Sequence, residues 1–482
     1  MQHITDYLWQ AAADQPDKPA LITDDRTLTF AQLKAEVEAF APHISAALGT
    51  DEQKVMALLL PNSWQFMVAY LAALHVGHIV LPLDPSYKRL EIEGITAQLV
   101  PDYIITNETY FAEFDPAHKP VLFADLYGRD LPAVDTLIRQ PATEQPATLL
   151  FTSGTTGKPK ITAYSHSNHV WNVQAVRDLW HWTVDDTLLI SLPLSHWHGL
   201  VMGIAAFLYM QNTLYLHERF DPEKTLKELE SGRISMFQHV PIAYWKLLYH
   251  NPEGTYDLSK VRLFVSGSSF LPPAIWQGFH DRFGVEILER YGSSETGLIA
   301  SNRFDERVKG SVGYPLDGVT IRSEEDGQLA MKSGGLFLGY YQNPEATAKN
   351  VAGDGLWLTG DIGDVADNGR IILKGRIQEK MKKLGLTIFP RDLEWAMLHD
   401  EAIEDIFVIG LQNQEQDGLS DTIVYFVQPF KFGELDEAAV FDFAHKNLPA
   451  AWRPDKVVLL EEIPKTRSGK PRRADLLASL ES

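Results

Sequence analysis

The sequence predicts an α/β fold: a large N-terminal domain of layered α/β subdomains plus a β-rich subdomain, then a small mobile α+β domain. Three observations predict it. At 482 residues the chain exceeds what one hydrophobic core supports, so several packed units are expected. Short apolar runs alternate with helix-like stretches, the pattern of parallel strands covered by helices. From Gly327 the texture turns to short alternating runs with turn signals, and after Gly375-Arg376 to a polar, lysine-rich passage that opens a last set of elements. The domain boundary is placed there, giving 1–375 and 376–482.

Taken in order, Thr29 stands where it caps a helix whose Phe30, Leu33, Val37 and Phe40 share one face. Strand-like runs follow at 55–60, 80–83, 147–151, 188–192, 261–265 and 285–288, of which 147–151 and 285–288 run into Gly/Ser/Thr-rich turns. In open α/β sheets ligands bind at such strand ends. Residues 199–210 are apolar but well short of the roughly 20 that span a membrane, and they read as a buried helix. Asp367-Asn368-Gly369 predicts a hairpin turn between 362–365 and 370–373. A helix is expected at 390–398, strands near 406–409 and 422–427, and a helix from about Asp436.

Composition narrows the function. Hydrophobic residues at 45% and charged residues at 22% are those of a globular chain with a real core. A net charge of −21 opposes non-specific attraction to nucleic acid or anionic membranes, so any phosphate-bearing ligand needs a local basic site. The absence of cysteine excludes disulfides, thiolate nucleophiles and thiolate zinc sites. Residues 1–10 carry Asp6 and lack the basic and apolar regions of a signal peptide, so a cytoplasmic location is expected, with no nucleic-acid partner and no membrane span.

Thr152-Ser153-Gly154-Thr155-Thr156-Gly157-Lys158-Pro159-Lys160 follows an apolar strand. Its glycines let backbone N–H groups converge on an anion, its hydroxyls add donors and its lysines supply charge. The spacing fails the G-x-x-x-x-G-K-[ST] phosphate loop, which disfavours a P-loop kinase or GTPase. Composition alone leaves a flexible polar loop as the alternative. His196 and His198 flank Trp197 without acidic or thiol neighbours at metal spacing, so a pocket wall is preferred to a zinc site.

This loop resembles the signature of the adenylate-forming superfamily, which includes acyl-CoA synthetases, peptide-synthetase adenylation domains and beetle luciferases. The resemblance continues, in order, along nearly the whole chain. Leu192-Pro193-Leu194-Ser195-His196-Trp197-His198-Gly199, Arg290-Tyr291-Gly292-Ser293-Ser294-Glu295-Thr296-Gly297, Trp357-Leu358-Thr359-Gly360-Asp361, Gly375-Arg376, Gly385 and Pro464-Lys465-Thr466-Arg467-Ser468-Gly469-Lys470 resemble its later motifs. The resemblance implies that ATP and Mg²⁺ convert a carboxylic acid to an acyl adenylate, whose acyl group then passes to coenzyme A.

In that scheme Thr152, Ser153, Gly154, Thr155, Thr156, Gly157, Lys158 and Lys160 cradle phosphates. Gly267, Ser268, Arg290, Tyr291, Gly292, Ser293 and Ser294 are grouped with the nucleotide, the Tyr291 ring on adenine and the Ser294 hydroxyl on the α-phosphate. Glu295 supplies oxygen to Mg²⁺, which favours carboxylates and phosphates. Asp361 and Arg376 hold the ribose, His196 gates the carboxylate pocket, and Gly385 leaves room for the pantetheine thiol. Lys470 bridges carboxylate and α-phosphate, where negative charge accumulates in the transition state.

Amino-acid activators of this superfamily carry an aspartate shortly after the His motif, where this chain has Leu200-Val201-Met202-Gly203-Ile204-Ala205. A buried unpaired ammonium is costly, so an apolar acid, fatty or aromatic, is expected. Its wall would be Trp197, residues 200–205, His239-Val240, Ser266-Gly267-Ser268-Ser269 and Gly292-Ser293. The chain ends soon after Lys470, so an external acceptor is expected: coenzyme A, with a separate carrier protein's phosphopantetheine as the alternative. A non-catalytic binding relative is opposed by the presence of Lys470, Glu295 and Asp361 together. Gln378 stands where the superfamily has Asp or Lys at its hinge, a departure that bears on the second half-reaction.

Overall fold

The structure is a computed structural model that describes residues 3–129, 131, 142–152, 160–251, 253–400, 402–412, 420–465 and 471–480. Two large sheets form the body. One runs in the order Gly339–Tyr340, Lys160–Ser165, Pro146–Thr152, Ile79–Pro82, Val55–Leu59, Tyr103–Thr106, Val121–Leu122. The other is built around the parallel strands Thr187–Ile190, Met236–His239, Leu263–Ser266 and Ile287–Ser293.

The two-residue period of each strand divides its side chains between two cores. Val55, Ala57 and Leu59 pack toward Ile92 and Ile95 of the helix Arg89–Thr96, whereas Met56 and Leu58 face a central core. Leu188, Ile190, Val265 and Leu288 enter that same central core from the second sheet. Leu189, Phe237, Phe264 and Ile287 point the other way, onto Pro222–Glu230, Pro241–Tyr249 and Pro273–Phe283. Strands apolar on both faces are what made these runs read as continuous in the sequence. Between the sheets lie Phe30–Leu48, Trp64–His75, His166–Arg177 and the 197–210 segment. Thr29 caps the first of these: its hydroxyl accepts from Gln32 N–H at 3.2 Å, and Thr29 N–H donates to the Gln32 side chain at 2.9 Å. Such a cap contributes about 1 kcal/mol.

The apolar 197–210 segment is helical, but its middle, Leu200–Ala205, widens to π geometry between Trp197–Gly199 and Ala206–Met210. Widened turns of this kind are frequent at functional sites. Its entry needs Gly199, where a Cβ would stand 2.3 Å from the Pro193 carbonyl oxygen.

The expected hairpin is Trp357–Val365 with Ile371–Arg376, part of a four-stranded sheet, and Arg376 ends that sheet opposite Asp361. Beyond it a separate α+β unit has Ile403–Gln412, Asp421–Pro429 and Lys456–Leu459 in one sheet. Pro390–Met397 and Glu437–Asn447 cover one face, and Arg473–Ala478 the other. Among the described residues no helix is long and apolar enough to cross a membrane.

Candidate active site

The Gly/Ser/Thr-rich loop is held at its two ends. Pro146–Thr152 and Lys160–Ser165 pair antiparallel with Thr152 opposite Lys160, and the Thr152 hydroxyl donates to Lys160 O at 3.3 Å. Ser153, Gly154, Thr155, Thr156, Gly157 and Lys158 lie outside the described residues, as does Lys470. Lys160 Nζ sits 4.6 Å from the centre of the Tyr340 ring, and Tyr340 OH donates to Glu295 Oε1 at 3.2 Å. Burial and the Glu295 charge push the Tyr340 pKa up, so it remains a donor. Tyr340 thus joins the loop's flank to Glu295. Sequence reasoning missed it, because its strand is only Gly339–Tyr340 and no motif surrounds it.

Three strands bring a second group together. Tyr291 OH donates to Asp361 Oδ2 at 2.6 Å, and Arg376 Nε lies 3.1 Å from Asp361 Oδ1. The Asp361 charge raises the Arg376 pKa further. Gly292 permits the bulge between Ile287–Ser293 and Gly297–Ser301, since a Cβ there would stand 2.1 Å from Gly297 O. Ser293 Oγ donates to Glu295 Oε2 at 3.3 Å, and the Ser294 carbonyl accepts from Tyr164 OH. Among the described residues no group of three or more His, Asp or Glu side chains could hold a metal. Mg²⁺ commonly takes one or two carboxylates and completes its shell with phosphate and water oxygens. Glu295, a carboxylate joined through Tyr340 to the Lys160 flank, fits that ion.

Arg290, grouped with the nucleotide on sequence, stands on the face of its strand opposite Tyr291, as strand alternation dictates. It is 4% exposed, 5.9 Å from the Trp197 ring centre, and lies under Gly267, where a Cβ would meet Arg290 Nε at 2.4 Å. Burial pulls its pKa down to about 10, so it is still a cation at neutral pH. His198 Nδ1 is 3.1 Å from Ser268 Oγ, and burial together with the Arg290 charge keeps His198 neutral. Ser268 is held at φ +70°, a conformation that costs a non-glycine residue energy and recurs at functional sites. Arg290, Ser268, His239 and Val240 line one continuous cleft with Tyr291, Asp361 and Arg376. Residues 200–205, expected in the pocket wall, are buried in the central core behind it.

His196 Nε2 lies 2.9 Å from Asp84 Oδ2. Burial alone would raise the Asp84 pKa, but the His196 hydrogen bond and charge, with two hydrogen bonds from Ser86, hold it at about 2. Asp84 therefore orients the His196 ring. Its signal in the sequence was slight: an acid just past the strand Ile79–Pro82, the end at which α/β sheets bind ligands.

Gly385 occupies the turn between Met381–Lys383 and Leu386–Ile388 at φ +78°, and a Cβ there would meet no atom within 4 Å. The turn alone accounts for it in this arrangement. Lys383 is turned inward, donating to Arg453 O at 2.7 Å and Asp455 Oδ1 at 2.8 Å.

Residues 8–341 match the AMP-binding enzyme family, and residues 392–470 match the AMP-binding enzyme C-terminal domain. The chain belongs to the AMP-binding enzyme family. This AMP-binding enzyme is 27% identical to a long-chain-fatty-acid–CoA ligase of Bacillus subtilis, over 98% of this chain and 93% of that protein. It is also 27% identical to the mitochondrial malonate–CoA ligase of Mus musculus, over 95% and 86%. ATP-bound MatB from Rhodopseudomonas palustris shares its fold with a TM-score of 0.89 at 25% identity, covering 100% of this chain and 99% of that one. The expected family, the expected fold and the expected dependence on ATP, Mg²⁺ and coenzyme A all stand.

Proposed function

We propose that this AMP-binding enzyme is an acid–thiol ligase in which the residues above divide two half-reactions. In the first, a carboxylate oxygen of the acid attacks the α-phosphorus of ATP, forming a P–O bond as the bond to pyrophosphate breaks. Asp361 takes the ribose hydroxyls with Arg376, the Tyr291 ring lies against adenine, Glu295 holds Mg²⁺, and the loop 152–160 cradles the phosphates. Lys470 stabilises the charge shared by the two reacting oxygens. In the second, the thiol of coenzyme A gives its proton to solvent, its sulfur bonds to the acyl carbon, and the acyl C–O bond breaks to release AMP. The unit 376–482 turns about Gln378 between the steps. The reading rests above all on the meeting of Tyr291, Asp361 and Arg376 from three separate strands.

A fatty-acid ligase and a malonate ligase stand at the same 27% identity, so overall likeness does not choose the acid and the pocket must. Coenzyme A is favoured as acceptor because the relatives are CoA ligases; a carrier protein's phosphopantetheine presents the same reactive arm. A cytoplasmic location completes the reading. The test incubates the purified protein with ATP, Mg²⁺ and a pool of fatty, aromatic and dicarboxylic acids, with and without coenzyme A, and reads products by mass spectrometry. Acyl-CoA with AMP supports the ligase. Adenylate without thioester transfers the acceptor role to a carrier protein, and the absence of both products defeats the proposal.

A further inference from the structure

Arg290 Nε and Nη2 are both buried and both lack a hydrogen-bond partner. These two nitrogens form one edge of the guanidinium, the edge whose parallel N–H bonds match the two oxygens of a carboxylate. Among the described residues no ion pair reaches this cation. Its electrostatic neighbour Tyr244 donates its hydroxyl to Val265 O at 2.7 Å, and burial keeps that phenol protonated.

The surroundings repeat the pattern. Trp197 Nε1, a donor, is likewise buried without a partner. His239 Nδ1 accepts from Val240 N–H at 2.9 Å, which places that ring's proton on Nε2, and this donor is unpartnered too. A desolvated cation flanked by unanswered donors is costly unless an anion completes it. The nucleotide does not supply that anion, because Tyr291 turns toward Asp361 while Arg290 turns to the opposite face, beside Trp197. What remains to fill this side of the cleft is the acid itself.

The geometry points to a dicarboxylic acid as the substrate: one carboxylate reacts at the α-phosphorus while the second, distant one is received by the Nε and Nη2 edge of Arg290. This rests on the acid-activating reading proposed above and narrows its substrate class. Gly267 belongs to the same device, since any side chain there would fill the space of the guanidinium.

The experiment compares matched pairs, each an aliphatic or aromatic diacid and the monoacid in which a methyl group replaces its second carboxyl. AMP release is measured across a range of lengths. In the wild-type protein kcat/KM for the best diacid exceeds that of its matched monoacid by at least about a hundredfold. Arg290→Met reverses the preference, mainly through KM for the diacid. Arg290→Lys keeps the charge but loses the two-pronged edge, so KM for the diacid rises while the preference survives. A wild-type enzyme that prefers the monoacid in every pair overturns the inference without any variant needing to fold. Equal losses on both acids in a folded Arg290→Met protein overturn it as well. If neither kind of acid yields AMP or adenylate, the acid-activating reading beneath it fails instead.

Discussion

Asp361 commits both carboxylate oxygens within the protein, one to Tyr291 OH and one to Arg376. In the proposed nucleotide site a ribose would meet a carboxylate already aimed and already charge-balanced. Asp361→Ala removes the acceptor and also releases Arg376, and KM for ATP should rise about tenfold or more. An unchanged KM in pyrophosphate-release assays would take Asp361 out of the nucleotide site. Asp84→Asn should leave ATP binding alone but lower kcat/KM for the acid about tenfold, because His196 loses the partner that orients it. A matching loss in KM for ATP would show a merely structural role. The Asp84 pKa is depressed to about 2, so its contribution to stability is present above its ordinary value near 3.8 and is lost as pH falls toward 2. The residues that could be found in the sequence are those whose neighbours in the chain form a motif, Tyr291 and Asp361 among them. Asp84 and Tyr340 act through partners remote in sequence, and no local pattern announces such a pairing.

On the strand Ile287–Ser293, Glu289 feels the charge of Arg391 in the C-terminal unit. Burial raises the Glu289 pKa to about 8, against the lowering effect of the Gly310 N–H and of Arg391. Arg391 is on the helix Pro390–Met397 and stacks 3.5 Å from the Phe270 ring centre. A carboxyl whose folded pKa is raised stabilises the fold fully below its ordinary value near 4.5, and that contribution is lost as pH rises toward 8. The melting temperature should therefore fall over this range, and Glu289→Gln should flatten the fall by roughly 2–4 °C, read by calorimetry at pH 5 and pH 8. An identical slope in the variant would mean that Glu289 titrates normally. At this scale the body strands and the Asp436-capped helix were legible, because burial on both faces and capping chemistry leave direct marks. The π turn at Leu200–Ala205 was not, since its composition is that of any buried helix.

Arg391 of the C-terminal unit stacks on Phe270 and donates to Leu373 O at 3.1 Å, and Phe430 packs 6.0 Å from Trp245 and 5.3 Å from Tyr249, centre to centre. Gln378→Pro should slow thioester formation at least about fivefold more than adenylate formation, measured by single turnover from preformed adenylate. Equal slowing of both steps would place the pivot elsewhere. Pairing of Thr152 with Lys160 has a consequence for the molecule as a whole. Two residues that face each other across an antiparallel ladder can be joined by a two-residue type I′ turn, so the stretch between them is an exchangeable cassette. Replacing 153–159 with Asn-Gly should give a protein that melts within about 3 °C of the parent yet releases no pyrophosphate, as differential scanning fluorimetry and a phosphate assay would show. Collapse of the fold on that exchange would mean the loop also braces the sheet. Otherwise, the scaffold and its chemistry are separable modules, and the loop can be redesigned without renegotiating the fold.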